Sequence, residues 1–132
     1  MQSAADETAS SLIERWSAGF NRLDADALSS LYSRNAFFFG SKSQLYRGNA
    51  GVAAYFNALP RWSSPTVEFT DRATAPVNPD LINFAATASF VVDESTAPLS
   101  VKITWVIARE DGGWKIVSHH VSSRTPLLGD DA

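Results

Sequence analysis

The hydrophobic period of this chain changes once, at Pro65, and that change does most to limit its fold. Before Pro65, apolar residues recur at helical spacing. Leu12, Ile13, Trp16, Phe20 and Leu23 share one face, which predicts an α-helix from about Ala4 to Leu23. Asp24 or Asp26 then caps a short second helix whose inward face is Ala27, Leu28, Leu31 and Tyr32. Ala36 to Phe39 is a short apolar run closed by Gly40 and reads as a strand. Ser41 to Gly48 reads as a turn and a second short extended piece. Asn49 caps a third helix, with Val52, Tyr55, Phe56 and Leu59 inward and Pro60 at its end.

After Pro65 the period is two. Strands are expected at Thr66–Val77, Leu81–Val92, Leu99–Ala108 and Trp114–Ser123. Asn78-Pro79-Asp80 makes the first turn, a loop runs through Pro98, and Asp111-Gly112-Gly113 is a tight hairpin. Helices collected in front of consecutive hairpin strands predict an α+β fold. Three N-terminal helices should pack in the concave face of a strongly bent antiparallel sheet, leaving a cone with a cavity.

The 132 residues suit a single domain, expected to cover 1–126 with a frayed tail at 127–132. With no cysteine, the chain excludes disulfides, thiolate catalysis and cysteine–zinc sites. The net charge is −3, and only three of the eleven cations are lysines, the opposite of a nucleic-acid binder. The first ten residues hold two acids and no apolar run, so no secretory signal is expected there. No apolar stretch is long enough to span a bilayer, and a cytoplasmic location is the expectation. No cofactor is called for.

Two stretches carry a resemblance: FFFGSKSQLYRG followed by the GVAAYF helix, and the terminal TWVIAREDGGWKIVSHHVSSRTP. The chain resembles the nuclear transport factor 2-like superfamily. That group includes ketosteroid isomerase, the SnoaL-like polyketide cyclases and the association domain of calcium/calmodulin-dependent protein kinase II, the last being nearest by its terminal motif. The resemblance implies the cystatin-like α+β cone and a homodimer formed through the sheet. It does not carry the isomerase residues over. The segment of the isomerase base reads Phe38-Phe39-Gly40-Ser41, its tyrosine position falls at Trp16, and its protonated acid falls at or beside Trp105. The pocket arginines of the kinase association domain fall at Trp105 and near Val121.

Several residues remain as candidates for chemistry. His119 and His120 are strand neighbours and point to opposite faces, so only one can line a pocket. The inward one could act as a general base or hold an anion, with a hydrogen-bonded structural histidine as the competing role. Matching turn lengths to the relatives favours His119, and a bulge near the motif could reverse the choice. Asp71 shares an apolar face with Val67, Phe69 and Ala73 by alternation and is the one displaced acid–base candidate. The expected pocket is Trp16, Phe20, Tyr32, Phe39, Tyr55, Trp105, His119 and Arg124, with Arg47 also near the mouth. Two histidines without a third ligand make no metal site. These features point to a pocket for a small apolar or aromatic molecule, with isomerase-, hydratase- or cyclase-like turnover as one outcome. The alternative is a non-catalytic dimerisation or association module. An apolar outer sheet face, with Val106, Val117 or Val121 among small residues, predicts a twofold homodimer.

Overall fold

The structure is a computed structural model and describes residues 3–93 and 96–128. Helix α1 (Ala4–Asn21) opens with a reciprocal cap. The Asp6 amide donates to Ser3 Oγ at 3.1 Å, and the Ser3 amide donates to Asp6 Oδ2 at 3.4 Å. The helix stops two residues short of the expected Leu23. Leu23 takes a left-handed φ of 52°, and the amides of Leu23 and Asp24 donate back to Phe20 and Gly19.

Helix α2 (Ala25–Ser29) is capped by Asp24, whose Oδ1 accepts from the Ala27 amide at 3.0 Å. Tyr32, expected on this helix, instead begins strand β1 (Tyr32–Phe39). The Ser29 and Ser30 hydroxyls donate to the carbonyls of Asp26 and Ala27, and Tyr32 pairs with Ile116. Strand β2 (Tyr46–Arg47) leads directly into α3 (Gly48–Asn57). Arg47, not Asn49, holds the cap position, because Gly48 makes the turn at φ 68°. A Cβ there would stand 2.8 Å from the Arg34 carbonyl oxygen.

Strands β3 (Thr66–Asn78), β4 (Leu81–Val91), β5 (Leu99–Glu110) and β6 (Gly113–Ser123) form consecutive hairpins. The last turn is Asp111-Gly112, with both residues at positive φ, the type I′ geometry that matches strand twist. The sheet order is β2-β1-β6-β5-β4-β3. It is mixed rather than wholly antiparallel, since β1 runs parallel to β6. The α+β class and the helices over one sheet face are as expected. Leu12, Trp16 and Phe20 of α1, Val52 and Phe56 of α3, and Phe84, Ile103, Trp105 and Ile107 of the sheet form one continuous core. Leu127 and Leu128 are exposed, while residues 129–132 of the expected tail and the acids Glu94, Asp130 and Asp131 lie outside the described residues. No helix among the described residues is long and apolar enough to cross a membrane.

Candidate binding cavity

Two bulges decide which side chains enter the cone. In β6, Val106 pairs with Ser118 and Ile107 with Ile116, which leaves Val117 as an extra residue. Strict alternation would put Ile116 and His119 on opposite faces. The bulge puts both inside: Ile116 is buried, His119 is 3% exposed, and His120 points out beside Phe39. In β3, the register slips between Thr70 and Ala73, and Asp71 takes a left-handed φ of 52°. Asp71 is therefore exposed on the bulge and does not share the face of buried Phe69. The displaced acid–base group expected from alternation is not in the cavity.

The open end of the cone holds a cavity of about 380 Å³. Trp16 and Phe20 come from α1, Tyr55 and Phe56 from α3, and Phe38 from β1. The ends of β4, β5 and β6 add Phe90, Val101, Ile103, His119 and Val121. The rings lock one another in place. Trp16 stacks on Phe20 at 5.5 Å, and Phe38 lies over the His119 ring at 4.1 Å with 20° between planes. Gly40 lets the chain leave β1 across this cluster, since a Cβ there would meet Tyr55 at 2.6 Å and Phe38 at 2.8 Å. Beyond it, the Ser41 amide donates to Tyr55 Oη at 3.0 Å, and the Ser41 hydroxyl lies 2.7 Å from the same oxygen. Lys42, exposed at the rim, is the one charged side chain among the described lining residues.

Behind the cavity wall sits a buried polar chain. The Trp16 indole N–H donates to Tyr32 Oη at 2.9 Å. Tyr32 Oη lies 2.9 Å from His119 Nδ1, and the Trp105 indole N–H donates to that same nitrogen at 2.9 Å. Burial makes the imidazolium form costly, and with His120 nearby the His119 pKa is pushed down to about 3. Burial likewise pushes the Tyr32 phenol up. His119 is thus a neutral imidazole at neutral pH and not a cationic anion hook.

Of the expected pocket residues, Trp16, Phe20, Tyr55 and His119 line the cavity. Tyr32 and Trp105 do not line it; fully buried behind the wall, they hold His119 through hydrogen bonds. Phe39 is a correction: it points outward, 36% exposed, because the parity of β1 places Ala36 and Phe38 inside. Arg124 is a second, since it follows the last residue of β6 and is exposed away from the cavity. Arg47 is exposed too, its guanidinium 5.2 Å from the Phe37 ring centroid. Phe38, Phe56, Trp62 and Phe90 were missed as lining residues. Phe90 was recoverable, because it alternates with inward Ala86 and Ala88 on β4. In the run of three phenylalanines, parity alone could not choose Phe38.

A larger depression, about 510 Å³, lies near the start of α1 between Thr8, Arg15, Asn78 and Trp114. Its Arg109 is already committed, bonded to Asp80 at 3.1 Å and stacked 4.5 Å over Trp114. No group of three or more histidines, cysteines or carboxylates among the described residues could hold a metal ion.

Residues 9–126 match the model of the SnoaL-like domain. The chain belongs to the SnoaL-like domain family. No functionally curated protein matches it. This SnoaL-like domain has many structural neighbours. A provisionally assigned calcium/calmodulin-dependent protein kinase II association domain from Xanthomonas campestris superimposes with a TM-score of 0.84 at 18% identity, covering 96% of this chain and 91% of that one. A provisionally assigned dehydratase of the NTF2-like family from Streptomyces avermitilis gives 0.77 at 19% identity, covering 91% and 96%. An NTF2-like protein of unknown function from Pseudomonas putida gives 0.81 at 19% identity, covering 96% and 92%. At these identities the likeness is one of fold, and fold does not carry function.

Proposed function

We propose that this SnoaL-like domain binds a small, flat, largely apolar molecule in the open end of its cone. The observation that carries the reading is the cavity of about 380 Å³, aromatic-walled, with one buried histidine on its surface. A dry, filled cone would need none of that space, since protein interiors pack densely. The volume lies within the range of small-molecule sites. Proton shuttling of the ketosteroid isomerase kind would need a carboxylate, and none is among the described lining residues. We therefore favour binding over isomerase-, hydratase- or cyclase-like turnover. The absence of cysteine is compatible with the cytoplasm as its site of action.

The association reading keeps one specific support. On the outer sheet face, Ala85, Thr87, Thr104, Val106 and Ser118 present small or uncharged side chains, and Phe37 on β1 is 51% exposed. We propose that two copies meet through this face, back to back, with both cavities left open.

A thermal-shift screen of flat ketones, aromatic acids and steroids tests the binding reading. A ligand at a hundred times its Kd adds about 2.7 kcal/mol to stability. Val121→Trp should fill the cavity and abolish that gain. Hits that shift wild type and Val121→Trp equally would mean that binding occurs elsewhere.

A further inference from the structure

We propose that the inner wall of the cavity selects an uncharged hydrogen-bond acceptor, such as a ketone oxygen, on an otherwise flat apolar ligand, and that His119 Nε2–H is the group that reads it. This inference rests on the binding reading above and deepens it.

The direction of every proton in the buried chain follows from its two ends. An indole N–H only donates. Trp105 donates to His119 Nδ1 at 2.9 Å, so Nδ1 offers its lone pair and carries no proton. A neutral imidazole must then carry its proton on Nε2. At the other end, Trp16 donates to Tyr32 Oη at 2.9 Å, which leaves the phenolic proton free to turn toward Nδ1, also 2.9 Å away. Two donors therefore converge on Nδ1 and none on Nε2. Among the described residues Nε2 has no partner, yet no fully buried side-chain nitrogen or oxygen is left unpaired. Nε2 is accordingly the polar edge of His119 that reaches the cavity surface.

The surroundings narrow what can meet that edge. Phe38, stacked at 4.1 Å, fixes the plane of the imidazole. Of the other polar side chains in the lining, the Trp16 indole is held by Tyr32, the Tyr55 hydroxyl by Ser41, and Ser41 and Lys42 face solvent, while the half-buried Trp62 indole is a second, separate donor. A carboxylate pushed against Nε2 would lose its water and find no cation, whereas Lys42 would meet it at the rim. An uncharged acceptor inward, with any anionic group outward, satisfies both ends. Trp105 and Tyr32 are positioning residues in this scheme, acting on the ligand only through His119.

The test uses two probes of nearly equal shape, 2-acetylnaphthalene and 2-isopropenylnaphthalene, titrated calorimetrically into the whole chain. The ketone should bind about tenfold tighter, because the alkene leaves a desolvated N–H unpaired. Long-range proton–nitrogen NMR of the ligand-free protein should find His119 Nδ1 bare and Nε2 protonated. In Trp105→Phe the fixed donor is gone and the Tyr32 hydroxyl can give or take. Both tautomers should then populate and the ketone preference should fall toward parity, with alkene binding kept. If that variant does not fold, Tyr32→Phe keeps the Trp105 donor on Nδ1 and should leave Nε2 protonated and the ketone preference in place; loss of both there would overturn the role given to Trp105. Equal affinity of the two probes in wild type, with both inside the cavity, would overturn the acceptor claim and leave the binding reading intact. Failure of both probes to bind would overturn both. A proton on Nδ1 in the free protein would overturn the acceptor claim without any ligand.

Discussion

Acidification should destabilise this domain through His119, over a window set by one buried ring. In the unfolded chain His119 titrates near its ordinary value of 6.5, and in the fold burial holds it down to about 3. Below the unfolded value, the unfolded state binds a proton that the native state refuses. Stability is therefore complete above pH 6.5 and is lost progressively as pH falls toward 3. Each pH unit inside that window costs about 1.4 kcal/mol for a single group. By pH 5 the loss attributable to His119 is about 2 kcal/mol, a sizeable part of a typical domain's stability. The titratable groups nearest the ring are Tyr32, which stays neutral, and His120, which is exposed and next in sequence. Urea unfolding at pH 7.5 and pH 5, followed by tryptophan fluorescence, reads the loss. His119→Gln supplies a non-titrating reference: it will be less stable throughout, but its change between the two pH values should be smaller by the same 2 kcal/mol. Parallel losses in wild type and His119→Gln would refute the reasoning, because they would mean that the native ring accepts a proton as readily as the unfolded one.

Three further outcomes are expected. Trp105→Phe should cost about 1–3 kcal/mol in urea unfolding, because it removes a buried hydrogen bond and part of a fully buried indole's packing. Gly48→Ala should cost about 1–2 kcal/mol, since φ 68° is a left-handed conformation and the new Cβ would press on the Arg34 carbonyl; unchanged thermal stability would contradict it. Sedimentation at tens of micromolar, a scale typical of weak interfaces, should find a dimer in wild type and a monomer in Val106→Glu; a wild-type monomer would sink the proposed sheet interface.

The fold was legible because its signals were periodic. The helical face of Leu12, Trp16 and Phe20 and the alternation of Ile103, Trp105 and Ile107 each survive in the core. What stayed illegible was parity. A strand pattern says that neighbours alternate but cannot say where an extra residue resets the count. The bulge at Val117 joins Ile116 to His119, and the bulge at Asp71 expels a carboxylate that alternation would have buried. Tyr32 misled for a related reason. It follows Leu28 by four residues, as on a helix, yet its ring reaches the same core from the first position of β1. The chain of Trp16, Tyr32, His119 and Trp105 joins α1 and β1 to the β5–β6 hairpin through a Tyr32–His119 contact 87 residues apart in sequence, and no local motif announces it.

The central claim is that the cone is a binding site, and a crystal structure with a bound ligand tests it most directly. Soaked with 2-acetylnaphthalene at saturating concentration, the protein should hold the naphthalene ring among Trp16, Phe38 and Phe90, with the ketone oxygen within hydrogen-bond distance of His119 Nε2. A cavity closed by its own side chains, with the probe absent or seated on the outer sheet face, would contradict the account.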